Sequence, residues 1–169
     1  MYREIVTKAV VGKGKIANTS EVVVNVNNGV SKVLGCWIIN HYFVSSYEDS
    51  KVIAKGKYDL HIWYGYNNDS DTMIHKQTVE YIEEFPLNMK NCETLNEEND
   101  LITKCIKYPT CNSLILNSTG TITVKVEKTL ILDVIGETKL KVNIDTSSCD
   151  EWVDNNEEIN DIDTNYLNK

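Results

Sequence analysis

Apolar and polar residues alternate along much of this chain. The period is two, as in a strand with one face on a core and the other in water. The clearest run starts at Val52: Val52, Ala54, Gly56, Tyr58, Leu60, Ile62, Tyr64 and Tyr66 share one face, while Lys55, Lys57, Asp59 and His61 share the other. Gly56 inside so long a run predicts a bend or bulge. A second run sets Ile122, Val124, Val126, Leu130, Leu132 and Val134 against Thr123, Lys125, Glu127 and Asp133. Lys128 interrupts its apolar face, as a bulge or an edge would, and Leu140, Val142 and Ile144 resume the pattern after Gly136. Val22, Val24 and Val26 form a shorter example ahead of Asn27-Asn28-Gly29. There Asn-Gly favours a type I′ hairpin, because both central residues tolerate positive φ.

Less regular strands are expected at about 2–11, 33–44 and 72–84. The segment Val33 to Val44 is apolar on both faces near its centre, the mark of a central strand covered on both sides. Gly12-Lys13-Gly14-Lys15 reads as a turn, and polar turns are expected at Asn67-Asn68-Asp69-Ser70-Asp71 and Asn117-Ser118-Thr119-Gly120. Leu101, Ile102, Cys105 and Ile106 stand at helical spacing, which suits a short helix over 97–107 ended by Pro109. Together these elements predict an all-β fold, an antiparallel β-sandwich or barrel-like sheet of about seven to nine strands.

With 169 residues the chain suits one domain with its own core. Its net charge of −8 argues against nucleic-acid binding by a general basic field. The charge is uneven. Residues 150–169 hold seven acids and one lysine, so most of the excess lies in the last twenty positions. Self-repulsion and few apolar anchors predict a β-domain over 1–149 and an acidic, disordered, flexible tail over 150–169. Trp152, Ile159, Ile162, Tyr166 and Leu167 are the tail's candidate docking residues. The opening residues lack the apolar core of a secretory signal, and no apolar run reaches the length of a spanning helix. A protein kept inside a cell, without membrane insertion, is the expectation.

Candidate chemistry is sparse. The five cysteines are irregularly spaced and do not resemble a secreted disulfide framework, and no C-x-x-C pair suggests zinc. His41, His61 and His75 show no metal-ligand or catalytic spacing. Neither a metal, a cofactor nor a catalytic residue is expected; an enzyme would need two or three of His41, His61, His75, Asp59 and Glu80 to converge in a cleft. Aromatic residues are denser: Trp37, Tyr42, Phe43, Tyr58, Trp63, Tyr64 and Tyr66. If Tyr58, Ile62 and Tyr64 face inward, Trp63 is displayed beside Asp59 and His61 as an interface anchor. Long strands also carry edges on which another chain can pair. A carbohydrate- or small-ligand-binding β-sandwich is the competing expectation, with a concave aromatic platform near Trp63.

Several blocks carry a family resemblance. Tyr2-Arg3-Glu4-Ile5-Val6-Thr7-Lys8-Ala9-Val10-Val11-Gly12-Lys13-Gly14-Lys15 resembles the start of the outer spore-coat morphogenetic proteins of the coat protein E family of endospore-forming Firmicutes. Leu34-Gly35-Cys36-Trp37-Ile38-Ile39-Asn40-His41, Gly56-Lys57-Tyr58-Asp59-Leu60-His61-Ile62-Trp63-Tyr64 and Val134-Ile135-Gly136-Glu137-Thr138-Lys139 follow in the family's order. The loops at 16–32 and 87–100 depart from the family, and the tail matches only in charge character. The resemblance implies a non-enzymatic scaffold of the mother-cell cytoplasm, later of the outer coat around the forespore. It further implies self-association and contacts with other spore-coat proteins, including an underlying basement-layer protein. The interface candidates are Trp37, Tyr58, Trp63 and Tyr64 in the β-domain, and Trp152, Glu157 and Glu158 in the tail.

Overall fold

The computed structural model describes residues 2–26, 29–90 and 94–144. Its seven strands are β1 (Tyr2–Val24), β2 (Val30–Glu48), β3 (Lys51–Tyr66), β4 (Asp71–Glu84), β5 (Leu87–Met89), β6 (Asp100–Leu116) and β7 (Ile122–Asn143). They form two antiparallel sheets, one in the order β5-β1-β7-β6 and one in the order β2-β3-β4. The chain divides into a body, Val6–Thr138, and a unit made of its two ends. In the end unit Leu140 is exposed and Val142 and Ile144 are half-buried.

In the body the inward faces of both sheets meet in two apolar clusters. Val11, Ile16, Leu130, Leu132 and Val134 from the four-stranded sheet pack with Val52, Ala54 and Phe85. Val24, Ile122, Val124 and Val126 pack with Tyr58, Leu60, Ile62 and Tyr64 of β3. The alternation at Val52–Tyr66 therefore points as expected, and burial of each such side chain contributes roughly 1.5–3 kcal/mol. The turns at 67–70 and 117–120 also stand where expected. Asn67, Asn68 and Asp69 take positive φ in the first, and Gly120 does so in the second.

Other expectations fail for identifiable reasons. Segment 97–107 holds no helix: residues 97–99 form a turn and the strand β6 starts at Asp100, with Leu101, Thr103 and Cys105 toward the core while Ile102, Lys104 and Ile106 face out. Pro109 sits inside β6 at a shift in the β6–β7 register between Lys107 and Thr110, where no ladder donor is needed. Gly12 and Gly14 make no turn. They lie within β1 opposite Met89 and Leu87 of β5, whose side chains fill the space that Cβ atoms would take. Asn27 and Asn28 lie outside the described residues; β1 and β2, before and after them, belong to different sheets and do not pair as a hairpin.

Nor is the 33–44 strand central. β2 is an edge of its sheet, and β3 takes the centre. Three register shifts against β3, at Val30/Lys32, Val33/Gly35 and Ile39/Tyr42, reverse which side chains face inward. Val30, Val33, Cys36, Ile38 and Phe43 pack on the core, a spacing that alternates only between shifts. Asn40, at the last shift, holds φ +54°, a conformation asparagine accepts more readily than most residues.

β2 also runs beside β6 of the other sheet without forming a ladder with it. Thr103 Oγ1 donates to Ser45 Oγ at 2.9 Å. The rings of His41 and Tyr108 meet edge-on at 6.0 Å, and Cys36 and Cys111 pack on the same apolar cluster. Positions rise along β2 as they fall along β6, so the two strands make an antiparallel side-chain seam.

Candidate functional site

The outer face of the three-stranded sheet gathers the exposed aromatics. Register places Trp37 of β2 opposite His61 of β3, and Trp63 of β3 opposite Ile74 of β4. The Trp37 and His61 rings meet edge-on at 6.1 Å. Trp37 is 40% exposed and Trp63 41%, with exposed Leu34, Ile39 and Ile74 beside them. One residue along β3, the parity of a strand reverses the outcome: Tyr58 and Tyr64 are each 2% exposed and belong to the core, which removes them as surface contacts. Trp152, Glu157 and Glu158 lie outside the described residues.

Charge on this face is locally paired. Asp59 accepts from Asn40 Nδ2 at 2.8 Å and from Thr78 Oγ1 at 2.7 Å, and these bonds hold its carboxyl below the usual carboxylate range. Lys55 binds Glu48 and Lys51 binds Glu84, each at 2.7 Å. Such exposed pairs add little stability, but they leave a mixed polar rim around apolar area. At the other end of the face Tyr42, Val44, Lys55, Lys57, Tyr81 and Ile82 border an open hollow of about 420 Å³. Trp63 does not line it.

Strand edges also remain. Among the described residues, β4 is ladder-paired only with β3, and β5 pairs with β1 over Gly12–Gly14. Exposed backbone donors and acceptors on such edges can accept a further strand.

A buried polar node went unread in the sequence. Lys128 stands where the β6–β7 register shifts, between Thr129 and Glu127, which pair with Lys107 and Thr110, so the expected bulge is present but its extra residue is on the facing strand. β7 keeps its phase, and Lys128 lines up with Val126 and Leu130, 1% exposed, between the two apolar clusters. Its Nζ donates to Glu83 Oε1 at 2.6 Å and to Asn18 Oδ1 at 3.3 Å, and stands 4.1 Å from the centre of the Tyr81 ring. Asn18 Nδ2 donates to the same Glu83 oxygen at 2.7 Å. The Tyr81 ring occupies the space where Gly56 lacks a side chain, and its hydroxyl is 2.7 Å from His41 Nε2. Burial, then the Lys128 charge, lowers the His41 pKa, while burial raises that of Tyr81. The node ties β1, β2, β4 and β7 together. A lysine in register with apolar neighbours on both sides was its one sequence signal.

The histidines do not converge. His41 points to this node, His61 lies on the outer face beside Trp37, and His75 pairs in register with Ile62. Among the described residues no group of three or more His, Cys, Asp or Glu side chains could hold a metal ion, and no helix is long and apolar enough to cross a membrane.

With this geometry in view, the family model described as outer spore coat protein E (CotE) matches residues 1–169, the whole chain. Neither a curated protein nor a solved structure matches it.

Proposed function

The chain belongs to the outer spore coat protein E family, a family of structural coat proteins, and from that premise we propose that it is a non-enzymatic scaffold which associates with copies of itself and recruits other coat proteins. The observation that carries this reading is the Trp37–Trp63 patch: two large rings held on a rigid sheet, ringed by polar residues and covered by nothing in the chain's described residues. Tryptophans so placed are the usual anchors of protein contacts. The edge of β1 beyond the short stretch that β5 pairs with, as far as the described residues go, offers a second, main-chain mode of contact. Several modest contacts per copy make a lattice durable without one tight interface.

In this reading the protein acts in the mother cell, encircles the forespore on an underlying basement-layer protein, and remains in the outer coat. Residues 150–169, with their excess of acids, recruit partners. A fluorescently tagged full-length copy followed through sporulation tests it. A shell around the forespore is expected, and a uniform mother-cell signal would overturn the proposal. Deleting residues 150–169 should preserve the shell and weaken capture of other coat proteins; the reverse pattern would reassign the two roles.

A further inference from the structure

The β2–β6 seam carries a cysteine on each side. Cys36 comes from the three-stranded sheet and Cys111 from the four-stranded sheet; both are free thiols and both pack on the Tyr58–Val126 cluster. Both side chains pack on that one cluster, at the places on β2 and β6 that the strands' antiparallel alignment brings opposite each other, and the Cys111 thiol donates to the Ser113 carbonyl oxygen at 3.7 Å. Two seam contacts, Ser45 with Thr103 and His41 with Tyr108, hold the strands in the same antiparallel alignment. Cys105 is elsewhere: it packs on the other apolar cluster, and its thiol donates to the Lys107 carbonyl oxygen at 3.2 Å.

We propose that Cys36 and Cys111 form an intramolecular disulfide that bolts the two sheets together when the protein meets an oxidising medium. Cysteines facing each other across an aligned seam and packed on one cluster need side-chain rotation and a small approach to reach bonding distance. β2 and β6 form no ladder among the described residues, so the bond would supply a link between the sheets that the ladders lack there. The oxidant is a low-molecular-weight disulfide. One cysteine thiolate attacks it, forming a mixed disulfide and expelling one small thiol. The second cysteine, after losing its proton, attacks the mixed disulfide and expels the other small thiol. One S–S bond is broken and one is made, and the two cysteines lose two hydrogens in total. Burial, helped by the neighbouring thiol, pushes the Cys36 thiol up to about 12, which keeps it protonated and slow to react under reducing, near-neutral conditions. The pair is therefore a late lock, outside the reach of casual oxidation.

The inference stands independently of the proposed function. The full chain would be purified under reductant, exchanged into oxidised glutathione at mildly alkaline pH, and digested without reduction. The expected result is a linked peptide joining Cys36 to Cys111, loss of two hydrogens from the intact mass, and a monomeric band without reductant. The loop closed is about 75 residues, so Tm should rise by roughly 5–15 °C on oxidation and fall back on reduction. Cys36→Ala and Cys111→Ala should each abolish that rise, whereas Cys105→Ala should retain it. Cys36 or Cys111 found linked to any other cysteine, or found only in disulfides between chains, would overturn the proposal. So would both thiols remaining free in folded wild-type protein after prolonged oxidation.

Discussion

Replacing Lys128 by methionine keeps most of the side-chain volume and removes the charge at the centre of the body. Lys128 is 2% exposed at its side chain and Glu83 17%, and the 2.6 Å bond between them is the shortest in the node. Without the ammonium, Glu83 keeps only the Asn18 amide, and its Oε2, buried without a partner, has no nearby positive charge to offset its desolvation. Breaking a fully buried pair costs about 3–5 kcal/mol; the partial exposure of Glu83 moves the expected loss to about 2–4 kcal/mol. With a urea m-value of about 2 kcal/mol/M, the unfolding midpoint should fall by roughly 1–2 M. The double variant Lys128→Met/Glu83→Leu removes both charges and strands only the neutral Asn18 amide, worth about 1 kcal/mol. It should therefore be more stable than Lys128→Met alone. Urea denaturation followed by tryptophan fluorescence measures both. A Lys128→Met midpoint equal to wild type, or a double variant that loses the sum of the two single effects, would refute the buried pair as a coupled unit.

Two further effects follow from the same geometry. The folded pKa of His41 lies below its ordinary 6.5, because burial and Lys128 disfavour the imidazolium. The unfolded chain then binds the proton first, so this contribution to stability is complete above pH 6.5 and is lost as pH falls through the folded value. His41→Phe should flatten the pH dependence of the urea midpoint in that window, and an unchanged slope would count against the assignment. At Asn40, φ +54° makes Asn40→Val costly by about 1–3 kcal/mol, while Asn40→Gly restores the bulge and loses only the bond to Asp59. Thermal unfolding of the two variants should rank glycine above valine.

Legibility in the sequence tracked regularity of the ladder. β3 and the Ile122–Val134 part of β7 keep a regular alternation, and apart from Lys128 their buried faces could be read residue by residue; past Gly136 the alternation fails and Leu140 is exposed. β2 could not, because each of its register shifts changes the parity of the inward face, and the sum over three shifts looks like a strand apolar on both sides. The supposed helix at 97–107 has the same origin: Ile102 and Ile106 are outward residues of an edge strand, and combined with inward Leu101 and Cys105 they imitate a 3.6-residue period. Gly12 and Gly14 were misread as punctuation because spaces for Met89 and Leu87, more than seventy residues away, leave no local mark. At the surface, the display of Trp63 followed from parity alone. The exposure of Trp37 did not, since it depends on β2 lying at a sheet edge. Glu83 and Asn18 are polar residues on other strands, and nothing local ties them to Lys128.

Sedimentation velocity of the full chain over a wide concentration range, beside Trp37→Glu/Trp63→Glu, tests most directly whether the outer face of the three-stranded sheet carries contact between copies. Wild type should shift to larger species as concentration rises, and the variant should stay monomeric with its Tm unchanged. Equal assembly by both proteins, or a wild type that remains a monomer throughout, would contradict it.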